Sequence, residues 1–182
     1  MMGCSQGDEE CFENEKPSHE VEITRGFWMQ QTEVTQAAYE VATKANPSRF
    51  RGDYLPVENV TWFQANQYCE AVGAHVPTEA QWEYAARGGS KVARFGPLDQ
   101  IAWYLDNSSQ ETHRVATKAP NGWGLYDTLG NVWEWTSDWY DKYYFQFRAV
   151  KDPQAPYSPM GDRVVRGGAG GRRYSHNSRL GS

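Results

Sequence analysis

The sequence has no uninterrupted apolar run near the roughly 20 residues that a membrane-spanning helix needs, so a helical span is excluded. It has no basic surplus either: 18 Lys and Arg against 23 Asp and Glu leave a net charge of −5. A surface of that sign does not attract phosphate backbones, which argues against nucleic acid as a partner. Met1-Met2-Gly3-Cys4 run into acidic rather than apolar sequence, so an export signal is expected, if at all, upstream of them. Exported and cytoplasmic locations in a bacterium both stay open.

Cysteine and histidine are scarce. Three cysteines, Cys4, Cys11 and Cys69, leave at least one thiol unpaired within the chain. Cys4 and Cys11 are close enough in sequence to close a small loop; the alternative is two exposed thiols. Cys69 lies on an apolar helix face and reads as core. His19, His75, His113 and His176 are far apart, without metal-ligand spacing, and no Ser–His–Asp nucleophile motif occurs. His176 with Asp162 reads as a surface histidine.

Aromatic rings are plentiful, with 8 Trp, 11 Tyr and 7 Phe, which points to large aromatic anchors between loops rather than long aliphatic helices. The 182 residues suit one domain, and neither a repeat nor a linker interrupts them. Glu20–Arg25 alternates, with Val21 and Ile23 on one side, and reads as a strand; Gly26 breaks it and Phe27-Trp28-Met29 reads as another. Thr35 caps a helix from Gln36 to about Thr43. Thr61 and Gln64 have capping-box spacing, and Ala65, Tyr68, Cys69 and Val72 then mark one helix face ending at Gly73. Thr78 and Gln81 repeat that spacing before a third helix, with Trp82, Ala85 and Ala86 inward and Gly88-Gly89 as the stop. After Ser90 the chain reads as loops and short strands, Val164-Val165 being the last. The expected class is α+β with few helices, short strands and long loops; so many long loops imply a function or a bound ligand.

Four segments carry a family resemblance. They are Gly26-Phe27-Trp28-Met29-Gln30-Gln31-Thr32-Glu33-Val34-Thr35; Val76-Pro77-Thr78-Glu79-Ala80-Gln81-Trp82-Glu83-Tyr84-Ala85-Ala86-Arg87-Gly88-Gly89; Pro120-Asn121-Gly122-Trp123-Gly124-Leu125-Tyr126-Asp127-Thr128-Leu129-Gly130-Asn131-Val132-Trp133-Glu134-Trp135; and Arg163-Val164-Val165-Arg166-Gly167-Gly168. In this order they resemble the formylglycine-generating (sulfatase-modifying) enzyme family across nearly the whole chain. The resemblance implies an irregular C-type-lectin-like fold. It also implies one of several functions: copper-dependent oxidation of a sulfatase cysteine, a module of an iron-dependent sulfoxide synthase, or non-catalytic binding of a protein, peptide or glycan. Against the family pattern the chain looks clipped at both ends, so 1–182 is expected to be a single but incomplete domain, with a fragment lacking any function of its own as a further alternative.

Asp127 to Glu134 is the candidate metal loop. Calcium takes six to eight oxygens from carboxylates, amides and carbonyls. Asp127, Asn131 and Glu134 offer side-chain oxygens within eight residues, and Gly130 and Val132 can turn carbonyls inward. The resemblance implies calcium held by Asp127 and Glu134 side chains and Gly130 and Val132 carbonyls. The alternative is an Asx-turn in which Asn131 and Glu134 bond backbone amides. Trp133 and Trp135 are expected to pack beneath this loop.

The family's copper-binding cysteines follow its Arg-Gly-Gly motif. Here those positions fall on Arg172 and Asn177, which supply no thiolate, so copper and oxidase chemistry are not expected. The same resemblance makes Arg172, Arg173, Tyr174, His176, Asn177 and Arg179 candidate ligand contacts; the alternative is a flexible tail.

Overall fold

The computed structural model describes residues 1–5, 15–141, 143–144, 150–157 and 161–168. Among these residues four helices precede a two-stranded sheet: α1 (Gln36–Thr43), α2 (Trp62–Ala71), α3 (Glu79–Arg87), α4 (Leu98–Ile101), β1 (Trp133–Trp139) and β2 (Arg163–Gly167). The first three begin where the caps place them. Thr35 Oγ1 accepts from Ala38 N. Thr61 with Gln64, and Thr78 with Gln81, close complete capping boxes. Each box satisfies amides that a helix N-terminus leaves unbonded. Gly88 ends α3 in the left-handed conformation at φ 52°.

β1 and β2 pair antiparallel, with Trp133 opposite Gly167, Glu134 opposite Arg166 and Trp135 opposite Val165; the ladder is irregular before Trp139 meets Arg163. Helix α3 lies against this pair, burying Glu79, Ala80, Trp82, Glu83, Ala85 and Ala86. Helices α1 and α2 pack together through the stacked rings of Tyr39 and Tyr68, 5.4 Å apart. Arg163 sits between two indoles, 3.9 Å from the Trp62 centroid and 3.7 Å from Trp139, a doubled cation–π contact.

The interior is unusually polar. Asp138 and Thr136 have no exposed surface. Asp138 accepts from the Glu79 and Ala155 amides, and Gln36 donates to the carbonyls of Phe50 and Pro56. Loops have no ladder to satisfy their backbone groups, and buried side chains take over that role. Arg166 is paired with Glu15 at 3.0 Å and with Glu79, all three buried, so the first segment is fastened to β2 and α3.

Several expectations need correction. Among the described residues Glu20–Arg25 and Phe27–Met29 are not strands: pairing there is limited to one isolated bridge, Glu22 with Lys151. Alternation there reports a half-buried edge that, among the described residues, no longer ladder extends. Val72 is 52% exposed, so the face of α2 ends at Cys69, which is itself only half-buried. The stretch after Ser90 contains the short helix α4, and β1 continues through Trp139. Cys4 is disulfide-bonded and Cys69 is free; Cys11 lies outside the described residues.

Candidate functional site

Residues 127–132 form a turn that delivers the chain into β1. Asp127 and Asn131 adopt left-handed backbone at φ 59° and 62°, a conformation their short polar side chains tolerate. The Gly130 amide donates to the Asp127 carbonyl at 3.1 Å and the Asn131 amide to the Trp103 carbonyl at 2.9 Å. Gly130 is required by space: a Cβ there would lie 2.2 Å from the Trp103 carbonyl oxygen.

Two of the expected ligands, Asp127 and Glu134, lie close enough for their charges to interact. Asp127 is 1% exposed; its Oδ2 accepts from the Ala116 amide at 2.7 Å, whereas its Oδ1 is buried with no hydrogen-bond partner. The Glu134 carboxylate faces inward, its Oε2 accepting from Trp82 Nε1 at 3.1 Å. Its Oε1 and the Val132 carbonyl border the same side-chain-free space at Gly167: a Cβ on Gly167 would lie 3.4 Å and 3.2 Å from them. The Val132 carbonyl also accepts from the Gly168 amide, which leaves it one lone pair.

Asn131 does not join this set. Its Oδ1 accepts from the His113 amide at 2.9 Å, and its Nδ2 donates to Glu33 Oε2 at 2.7 Å and to the His113 carbonyl. Part of the Asx-turn alternative therefore holds for Asn131, which braces the turn instead of offering an oxygen. Trp133 is 37% exposed and Trp135 donates to the Val60 carbonyl, so the two rings do not both lie beneath the loop.

Glu33 is the residue that pattern reading missed. It lies in the first family segment, 98 residues upstream of Asn131, and is 7% exposed. Its Oε1 accepts from the Val132 amide at 3.1 Å. Together with Glu134 and Thr128 it lines a pocket between α3 and residues 125–126 that opens to solvent. The available signal was a lone carboxylate beside Val34 in an otherwise neutral segment.

Three buried carboxylates thus feel one another's charge, and their protonation reflects it. Burial holds Glu33 well above the usual carboxylate range, and the charges of Glu134 and Asp127 push further the same way. Glu134 is raised to about 7, first by burial and also by Asp127, against the opposing hydrogen bond from Trp82. Asp127 is raised by burial, with the Ala116 amide pulling down. A buried carboxylate oxygen without a hydrogen-bond partner, beside other acids, is a setting whose chemistry suits a cation. No three His, Cys, Asp or Glu side chains converge on one point among the described residues. A cation here would therefore be held by the Asp127 and Glu134 carboxylates together with carbonyls and water, a donor set of calcium type. Arg172, Arg173, Tyr174, His176, Asn177 and Arg179 lie outside the described residues.

A family model described as "Sulfatase-modifying factor enzyme 1-like domain" matches residues 2–180. The formylglycine-generating enzyme of Streptomyces coelicolor is 37% identical over 131 residues, covering 63% of this chain and 41% of that protein. Serine/threonine-protein kinase pkn1 of Chlamydia pneumoniae is 40% identical over 116 residues, covering 62% of this chain and 19% of that one. The chain thus spans less than half the length of these curated relatives. Among solved structures, Treponema denticola variable protein 1 superposes with a TM-score of 0.65 at 32% identity, covering 79% of this chain and 73% of that one. PvdO from Pseudomonas aeruginosa gives a TM-score of 0.82 at 23% identity, covering 94% and 78%, which speaks to fold alone.

Proposed function

The chain belongs to the sulfatase-modifying factor enzyme 1-like family and has its C-type-lectin-like fold, and from that premise we propose that it is a calcium-braced recognition module without oxidase activity. The observation that carries the calcium reading is the unpartnered, buried Asp127 Oδ1, in a site where the Glu134 carboxyl is raised to about 7. Asp127 and Glu134 would hold the ion with the Gly130 and Val132 carbonyls, and its charge would relieve their repulsion. Residues at 172, 173, 174, 176, 177 and 179 offer a ring and several donors for a protein, peptide or glycan ligand. The oxidase is disfavoured because Arg172 and Asn177 occupy the positions where the family resemblance puts copper-binding cysteines, and burial raises the free Cys69 thiol, away from thiolate chemistry.

A second reading keeps an enzyme in view. The identity to the Streptomyces coelicolor formylglycine-generating enzyme fits a domain whose catalytic part is supplied elsewhere, acting on a protein substrate.

The two readings separate in one pair of assays. Calcium at a hundredfold excess over its dissociation constant should stabilise the chain by about 2.7 kcal/mol, and Glu134→Ala should remove most of that gain. Melting curves that coincide in calcium and in chelator would refute the brace. Oxygen uptake with copper(I) and a cysteine-containing sulfatase peptide should be absent; turnover would establish the enzyme instead.

A further inference from the structure

One calcium ion held by Asp127 and Glu134 balances the charges of those two side chains and leaves a third buried acid, Glu33, without a counter-charge. Glu33 is 7% exposed, and both of its oxygens accept: Oε1 from the Val132 amide at 3.1 Å, Oε2 from Asn131 Nδ2 at 2.7 Å. Asn131 cannot turn its amide round, because its Oδ1 accepts from the His113 amide while its Nδ2 also donates to the His113 carbonyl. Two fixed donors therefore meet Glu33, a pattern that suits the carboxylate, which only accepts. Both donors are neutral: they satisfy its hydrogen bonding and leave its charge unbalanced.

Glu33 lines the pocket between α3 and residues 125–126, and no Lys, Arg or His is among the described residues that line it. Thr128 lines it as well. That residue is 6% exposed, and its buried hydroxyl has no hydrogen-bond partner among the described residues. A hydroxyl in that position costs stability until something from outside the chain bonds it. Thr32 brings another oxygen to the lining: its hydroxyl donates to the Glu33 carbonyl at 2.9 Å and keeps lone pairs for an incoming donor. Met29, Leu125, Ala85 and Ala86 make much of the remaining wall apolar.

The complement of this set carries one positive charge, donates several hydrogen bonds from a single point and trails an apolar stem. A primary ammonium on an alkyl chain has those properties. A hard metal cation takes six or more oxygens and gains nothing from carbon walls. A guanidinium docks best on a carboxylate with both oxygens open, and each oxygen of Glu33 already accepts. The methylenes of a lysine suit Met29 and Leu125 while its tip reaches the acid. A net charge of −5 also draws basic partners. We infer, on the calcium reading proposed above, that this pocket captures a lysine side chain of a partner protein, with Glu33 supplying the charge and the hydroxyls of Thr128 and Thr32 the further acceptors.

The test titrates Nα-acetyl-lysine N-methylamide into the full chain in excess calcium. Binding is read from the NMR signals of the Val132 amide and the Asn131 side-chain amide, both bonded to Glu33; calcium binding is read separately, from the melting temperature. Both signals should shift saturably with this probe and stay put with its Nε-acetylated form, which lacks the charge. Glu33→Gln should abolish the shift. Thr128→Val removes only a hydroxyl, so it should melt no lower than the wild type yet bind the probe ~10-fold more weakly. A protein that calcium stabilises and the probe leaves unmoved would overturn the inference and spare the calcium brace; a protein that calcium does not stabilise would overturn both. Equal shifts from the acetylated probe or from potassium chloride, or a Thr128→Val variant that binds as the wild type does, would also overturn it. Putrescine binding more tightly than the lysine probe would assign the pocket to a free amine instead.

Discussion

Without calcium, the protein should lose stability as pH rises from about 5 to about 7.5, opposite to the usual behaviour of a salt-bridged carboxylate. The cause is Glu134, whose folded-state carboxyl is raised from 4.5 to about 7. Between those values the folded state binds more protons than the unfolded state, so stability falls with rising pH and levels off above the upper one. At about 1.4 kcal/mol per pH unit of that gap, the loss amounts to about 3 kcal/mol. For a chain of this size that is about 6–12 °C in melting temperature. Glu33 and Asp127, also raised, act in the same direction. Calcium should reverse the trend, because ionised carboxylates bind it and protonated ones do not. The assay is thermal unfolding by circular dichroism across this range, in chelator and in calcium. Glu134→Gln, a neutral near-isostere, should flatten the chelator series, melt above the wild type at the alkaline end, and gain nothing from calcium. A chelator series that is level or climbs with pH, or a Gln variant with the wild-type slope, would show that the acids are not uncompensated.

Two further substitutions test the frame around the site. Gly130→Ala places a methyl 2.2 Å from the Trp103 carbonyl oxygen and 2.9 Å from its nitrogen, forcing two backbone segments apart. With the Asn131–Trp103 hydrogen bond disturbed as well, the cost should be about 2–4 kcal/mol, read as a lower urea midpoint; a midpoint within error of wild type would mean that the turn is not held against Trp103. Arg166→Met removes the cation between buried Glu15 and Glu79 and should cost about 3–5 kcal/mol. Adding Glu15→Gln should recover part of that loss, and a double variant no more stable than the single one would contradict the pairing.

Local rules carried much of the fold. The hydroxyl-to-glutamine spacing at Thr61 and Thr78 set two helix starts, because a capping box acts within one turn and needs no tertiary partner. Gly88 set a stop for the same reason, through its own backbone angle. Contiguous motifs also exposed the loop at 127–134, since Asp127, Gly130 and Glu134 lie on one short stretch of chain.

Tertiary structure decided what sequence spacing cannot encode. Alternation at Glu20–Arg25 was real, yet a strand needs a neighbour, and among the described residues the segment pairs through a single bridge at Glu22. Asn131 was expected to offer an oxygen to a cation, but Glu33, 98 residues away, takes its amide and turns it into a brace. The Phe27, Tyr84 and Trp123 rings come from three motifs and become one surface only when α3 and the Asn121 turn lock together. The amino-acid order by itself determined caps, stops and the turn that leads into β1, because these depend on a few consecutive dihedrals and side chains. Packing determined which carboxylates lose water and which rings keep it, because desolvation depends on every segment that comes near.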